Sequence, residues 1–134
     1  MTSIFTRIIN GEIPGRFVYQ DDRCVAFLDV RPLARGHVLV VPRAEVDHWH
    51  DLDVSLAAHL TSVAHLIARA QAEVLQPARV GLMIAGFEVP HTHMHVVPME
   101  SMADLDFVNA DHDPNPAELD ETRDALAAAI EELS

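Results

Sequence analysis

Three of the nine histidines in this chain fall within five residues, in the stretch EVPHTHMHVVP. They are His91, His93 and His95, spaced at every second residue. Imidazole titrates near neutral pH, so such a row offers proton transfer, nucleophilic attack or metal ligation. On a β-strand, residues i, i+2 and i+4 share one face. The three rings would then line one side about 7 Å apart, with Thr92, Met94 and Val96 on the other. On a helix only His91 and His95 would be neighbours. The VVP that follows favours the strand. Burying three imidazoles without partners is costly, so the regular spacing points to chemistry rather than packing.

Two chemistries fit. His-x-His on a strand supplies two zinc ligands, with a third from elsewhere. Glu88, His37, His48 and His50 are available, but none has recognisable ligand spacing. Alternatively, a neutral imidazole attacks phosphorus, while neighbouring histidines donate to phosphate oxygens and protonate the leaving group. Spacing alone leaves the two even.

The elements that must position these rings are read from the apolar pattern. RFVYQ and CVAFLDV form two β-runs around the turn signal DDR. GHVLVVPR is a third strand, and the consecutive Leu39, Val40 and Val41 suggest burial on both faces. From Asp53 to Leu75, apolar residues recur at Leu56, Leu60, Val63, Ile67, Ala70 and Val74, the spacing of an amphipathic helix. VGLMIAG and THMHVVP are further strands. Asn115-Pro116-Ala117-Glu118 opens a last helix, with Asn as cap and Pro at its first position; Leu119, Leu126, Ile130 and Leu133 form its stripe. Strands segregated from helices predict an α+β domain with an antiparallel sheet.

Length and composition bound the rest. The 134 residues suit a single domain, residues 1–134. No apolar run approaches the roughly 18 residues of a membrane span, the N-terminus lacks a secretory pattern, and the single cysteine, Cys24, forms no internal disulfide. A cytoplasmic protein without membrane partners is expected. The formal net charge of −12 disfavours nucleic-acid polymers, whose binding rests on basic patches. A small anionic ligand remains compatible, because local donors outweigh a screened global field.

HTHMHVV fits the His-φ-His-φ-His-φ-φ signature, where φ is apolar, and Thr92 departs modestly from it. The sequence resembles the histidine-triad (HIT) nucleotide-binding family. The upstream segment SIFTRIINGEIPGRFVYQDDRCVAFLDVRPLARGHVLVVPRAE independently resembles the N-terminal half of the family's phosphoramidase branch. The likeness covers roughly residues 3–98, the core; residues 99–134, an acidic tail and C-terminal helix, match poorly. It implies a HIT-like fold: an antiparallel meander with one central helix and a C-terminal helix, joined to a second subunit as a homodimer. It implies hydrolysis of purine nucleotide conjugates at the α-phosphate, without a cofactor or metal. His93 would be the nucleophile and would form a nucleotidyl-histidine. His95 would contact phosphate oxygens, and a histidine there rather than glutamine points to hydrolysis. His91 would orient His93 and form a proton relay with His37. Ile4, Phe5, Ile8, Phe27 and Val30 would sandwich the base, Asp29 would take the ribose hydroxyls, and Gly86 would offer a backbone N–H to phosphate.

Two departures qualify this likeness. The glycine-rich loop before the triad is shortened to AGFEVP, with Phe87 where glutamine is expected and Glu88 where a hydroxyl donor is expected. A carboxylate repels a phosphate unless protonated or turned away. Some bacterial relatives also bind structural zinc through two N-terminal cysteines and two histidines; Ser3, Thr6 and Glu45 stand at three of those four positions. Two further readings therefore stand beside the hydrolase: a nucleotide-binding module with little turnover, and a metal-binding protein using the triad. His48, His50, His59, His65 and His112 receive no chemical role, and Cys24 is read as a buried small hydrophobe.

Overall fold

The computed structural model describes residues 2–134. Five strands form one antiparallel sheet: β1 (Phe17–Gln20), β2 (Cys24–Leu28), β3 (Val38–Pro42), β4 (Arg79–Met83) and β5 (Met94–Met99), in the order β1-β2-β3-β5-β4. Helix α2 (Val54–Leu75) joins β3 to β4, and α3 (Pro116–Leu133) closes the chain. The Asn115 side chain caps α3 through the amides of Ala117 and Glu118, with Pro116 at the first turn. The expected α+β class and antiparallel sheet are what the chain adopts.

Alternation along the strands assigns the two sheet faces. Val18, Cys24, Ala26, Leu28, Val38, Val40, Met94 and Val96 pack against Leu60, Val63 and Ile67 of α2 and Leu126 and Ile130 of α3. On the opposite face, Val25, Phe27, Leu39 and Val41 meet Phe5. Every residue of β2, β3 and β5 is therefore buried, as consecutive apolar residues require when both faces are covered.

What covers the second face is α1 (Ile4–Ile9), which the sequence pattern did not single out. Six residues are too short to show helical periodicity. Serine does mark its start: the Ser3 hydroxyl accepts from the amide of Thr6. The stripe of α2 also differs in one detail. Gln71 is fully buried, while Val74, assigned to that stripe, is 36% exposed. The tail before α3 contains two short 3-10 turns, Met102–Leu105 and Phe107–Asn109.

Candidate active site

Strand β5 begins at Met94, so His91 and His93 lie in the segment leading into it. This corrects the expectation of one continuous strand with three rings on its face. All three are nonetheless buried, at 0, 2 and 2% exposure. Local contacts place the first two. The Nε2–H of His91 donates to the Pro42 carbonyl at 2.7 Å. A carbonyl only accepts, so in the neutral ring Nδ1 is bare, and it receives the Ser3 hydroxyl at 2.7 Å. Burial holds His91 below the ordinary imidazole range. His93 donates its Nδ1–H to the backbone carbonyl of His91 at 2.7 Å. In the neutral ring the lone pair of His93 then sits on Nε2, the atom 3.8 Å from the Glu88 carboxylate. His91 thus orients His93 through its main chain, not its ring.

The same reasoning fixes the proton on His95. The amide of Leu33 donates to His37 Nδ1 at 3.0 Å. A neutral His37 must then carry its proton on Nε2, which faces His95 Nδ1 at 3.0 Å. His95 accepts there and carries its own proton on Nε2. Among the described residues that atom is buried without a partner, and His95 lines the main cavity. A backbone amide, two imidazoles away, thus sets a hydrogen-bond donor on a residue of the cavity wall. Burial, reinforced by the neighbouring His95 and His93, pulls His37 down to about 3. Burial and then His93 pull His95 down to about 4. Both rings stay neutral near pH 7.

Two expectations change here. His37 pairs with His95 and not with His91. Nor does this chain form a proton relay, because it ends on an amide that cannot reload His37. Ligand atoms of Glu88, His93 and His95, and of Asp29, His37 and His95, do lie within 4.8 Å of one another, and a metal at His95 Nε2 would have to displace the proton placed there.

A cavity of about 890 Å³ opens over the second sheet face. It is lined by Ile4, Phe5 and Ile8 of α1, by Phe27, Asp29 and Val30 at the end of β2, and by Glu88, His93 and His95. The register explains the convergence: Phe17 lies opposite Phe27, Phe27 opposite Leu39, and Leu39 opposite His95. The rings of Phe5 and His93 meet edge to face, 4.9 Å between centroids. Asp29 accepts from the Arg31 amide at 2.9 Å, and burial raises its carboxyl above the usual range. Gly86 is placed elsewhere. It takes a positive φ of +95° and lines a smaller cavity of about 220 Å³ with Asp47, Trp49, Phe87 and Thr92. Of the residues around these two cavities, His93 alone lines both.

The positions likened to zinc ligands do converge, but on hydrogen bonds. Glu45 accepts the Ser3 amide and the Thr6 hydroxyl, each at 2.6 Å, while Ser3 holds His91. Hydroxyls are poor zinc ligands beside thiolate and imidazole, and the set does not fit that metal. It ties α1 to the start of the triad.

Other contributors escaped the sequence reading. The Leu33 amide has no side-chain signal. Gln71 does: a glutamine interrupting an apolar stripe seeks buried partners, and it donates to the Gly36 carbonyl at 2.8 Å and the Val96 carbonyl at 2.9 Å. Phe107, Ala110 and His112 of the tail line the main cavity as well. His59, left without a role, meets Asp21 at 2.6 Å, well away from the cavity. Cys24 is fully buried, and its thiol is pushed up to about 12 by burial and the Asp21 carboxylate, which leaves it inert.

Fold and site together define a class: a small α+β domain presenting paired and tautomer-fixed histidines to an apolar cavity. The chain belongs to the HIT family, whose HIT domain pattern matches residues 10–102. A HIT-like protein of Borreliella burgdorferi is 37% identical over 102 residues, covering 71% of this chain and 73% of that one. The adenylylsulfatase HINT3 of Arabidopsis thaliana is 32% identical over 100 residues, 71% of this chain and 51% of the plant protein. Among solved structures, a zinc-bound histidine triad family protein of Mycobacterium smegmatis superposes with a TM-score of 0.84 at 31% identity, covering 99% of this chain and 96% of that one.

Proposed function

We propose that the chain hydrolyses nucleoside 5′-phosphate conjugates at the α-phosphate, through a covalent nucleotidyl-His93. The observation that carries this reading is the proton arrangement of the triad: a bare Nε2 on His93 beside a donating Nε2–H on His95. The first is a nucleophile, and the second is a donor for a phosphate oxygen. In the first step Nε2 forms a bond to phosphorus, and the bond to the amine or oxygen leaving group breaks. The leaving group takes a proton from solvent. In the second step water attacks phosphorus, the P–N bond to His93 breaks, and a nucleoside monophosphate leaves. The apolar slot of Ile4, Phe5, Ile8, Phe27 and Val30 suits a flat base, and Asp29 suits the ribose diol. The adenylylsulfatase relative supports an adenylyl group as the transferred moiety. Amine-linked adenylates are the substrate class we favour, since Glu88 beside His93 repels an anionic leaving group.

Strand β4 supports the homodimer. It is an edge strand whose Leu82 is 50% exposed, a liability that pairing with a second copy removes.

A panel of adenosine conjugates tests the function: the phosphoramidate, an aminoacyl adenylate and adenylyl sulfate, each with wild type and His93→Ala. We expect AMP release by wild type, fastest from the P–N substrates, and its loss in the variant. One alternative has its own support, because Glu88 replaces a phosphate donor and Gly86 lies outside the main cavity. Calorimetric binding of AMP with no product from any conjugate would favour a binding module instead.

A further inference from the structure

From residue 103 on, the tail between β5 and α3 lies outside the span matched by the family pattern, yet it reaches the candidate site. The ring of Phe107 meets that of His95 edge-on, 5.1 Å between centroids at an interplanar angle of 67°. Phe107 is held by backbone on both sides. Asp104 and Ser101 cap the preceding turn, the Asn109 side chain donates to the Ala103 carbonyl at 2.9 Å, and the Asp111 amide donates to the Pro32 carbonyl at 2.9 Å. Pro32 precedes Leu33, the residue whose amide fixes His37. The tail is therefore anchored to the same loop that sets the proton on His95. Phe107 itself is 36% exposed, unusual for a large aromatic ring whose role is only to fill a core.

We propose that Phe107 is a positioning residue for His95: its ring shields the imidazole from water and holds the plane of the ring that carries Nε2–H at the cavity wall. An edge-to-face contact favours one ring orientation. Among the described residues the one hydrogen bond of the His95 ring is at Nδ1, so the other edge of that ring is fixed by packing alone, against His93 and Phe107. The titratable groups around His95 are His93 beside it, His37 and Asp29 on the β2–β3 side, and Glu88 on the β4–β5 loop. The tail contributes the Phe107 ring and a further imidazole, His112, on the wall of the same cavity. The role at phosphate rests on the hydrolytic reading above; the effect on His95 itself does not.

The test is an NMR pH titration of the histidine side-chain nitrogens, free of substrate, for wild type, Phe107→Ala, Phe107→Leu and Val108→Ala. Val108 is 80% exposed and does not line the cavity, so its variant is the control. In Phe107→Ala the His95 midpoint should rise by about one pH unit or more, because lost burial restores the charged form, and the Nε2–H tautomer should lose its dominance. Phe107→Leu, which keeps apolar bulk, should hold the midpoint near wild type. A folded Phe107→Ala protein with an unchanged His95 midpoint and tautomer would overturn the proposal. If wild type hydrolyses no conjugate, the hydrolase reading falls and the titration still decides the role of Phe107.

Discussion

At the scale of single residues, the site is a problem of where protons sit. Two carbonyls, one hydroxyl and one amide determine the tautomers of four histidines. Three histidines on alternate positions were legible as a chemical device. Their tautomers were not, because the deciding partners are Pro42, Leu33 and the His91 main chain, which carry no side-chain signature. The arrangement has a consequence for stability. His37 and His95 have folded values of about 3 and about 4, below the ordinary 6.5. The unfolded chain therefore binds protons first as pH falls. The stability these rings contribute is complete above pH 6.5 and is lost between about 6.5 and 3–4. We expect denaturant unfolding free energy to drop by roughly 1 kcal/mol per pH unit per histidine over that window. In His37→Gln that slope should shrink. A slope identical to wild type would show that His37 is not held neutral by the fold.

At the scale of elements, the sheet register delivers His95 and a helix pins it. Gly36 takes a left-handed φ of +87° just before His37, and its carbonyl is held by Gln71 of α2, which also holds the Val96 carbonyl next to His95. One side chain thus joins the helix to the turn that carries His37 and to the strand that carries His95. The strands and both long helices were readable from period-2 and period-3.6 patterns. Gln71 hid inside a good apolar stripe, α1 was too short for a pattern, and Val74 continued a spacing that its burial does not follow. For Gln71→Leu we expect a loss of about 1–3 kcal/mol, the cost of leaving buried carbonyls unpaired. Chemical denaturation should show it, with weakened exchange protection at His37 and Val96. Wild-type stability and protection would mean that the two hydrogen bonds contribute nothing net.

At the scale of the whole molecule, one sheet face builds a core and the other builds a site. The helices α2 and α3 cover the first, while α1 and the tail wall the second. The family resemblance anticipated the core as far as residue 98. It did not anticipate that Phe107, Ala110 and His112 would border the cavity, because a short acidic segment has no periodicity from which to read its path. The exposed edge at β4 leads to a prediction about assembly. Analytical ultracentrifugation should give twice the 14.8 kDa chain mass, and Leu82→Lys should shift the species toward the single-chain mass. A monomeric wild type at micromolar concentration would remove the homodimer.

The central claim is covalent chemistry at His93, and it is read most directly by rapid-quench mass spectrometry. Wild type mixed with an adenosine phosphoramidate and quenched within the first turnover should carry one acid-labile nucleotidyl group, mapped to the peptide containing His93. Turnover of that substrate with no adduct at any time, together with a full rate in His93→Ala, would contradict the account.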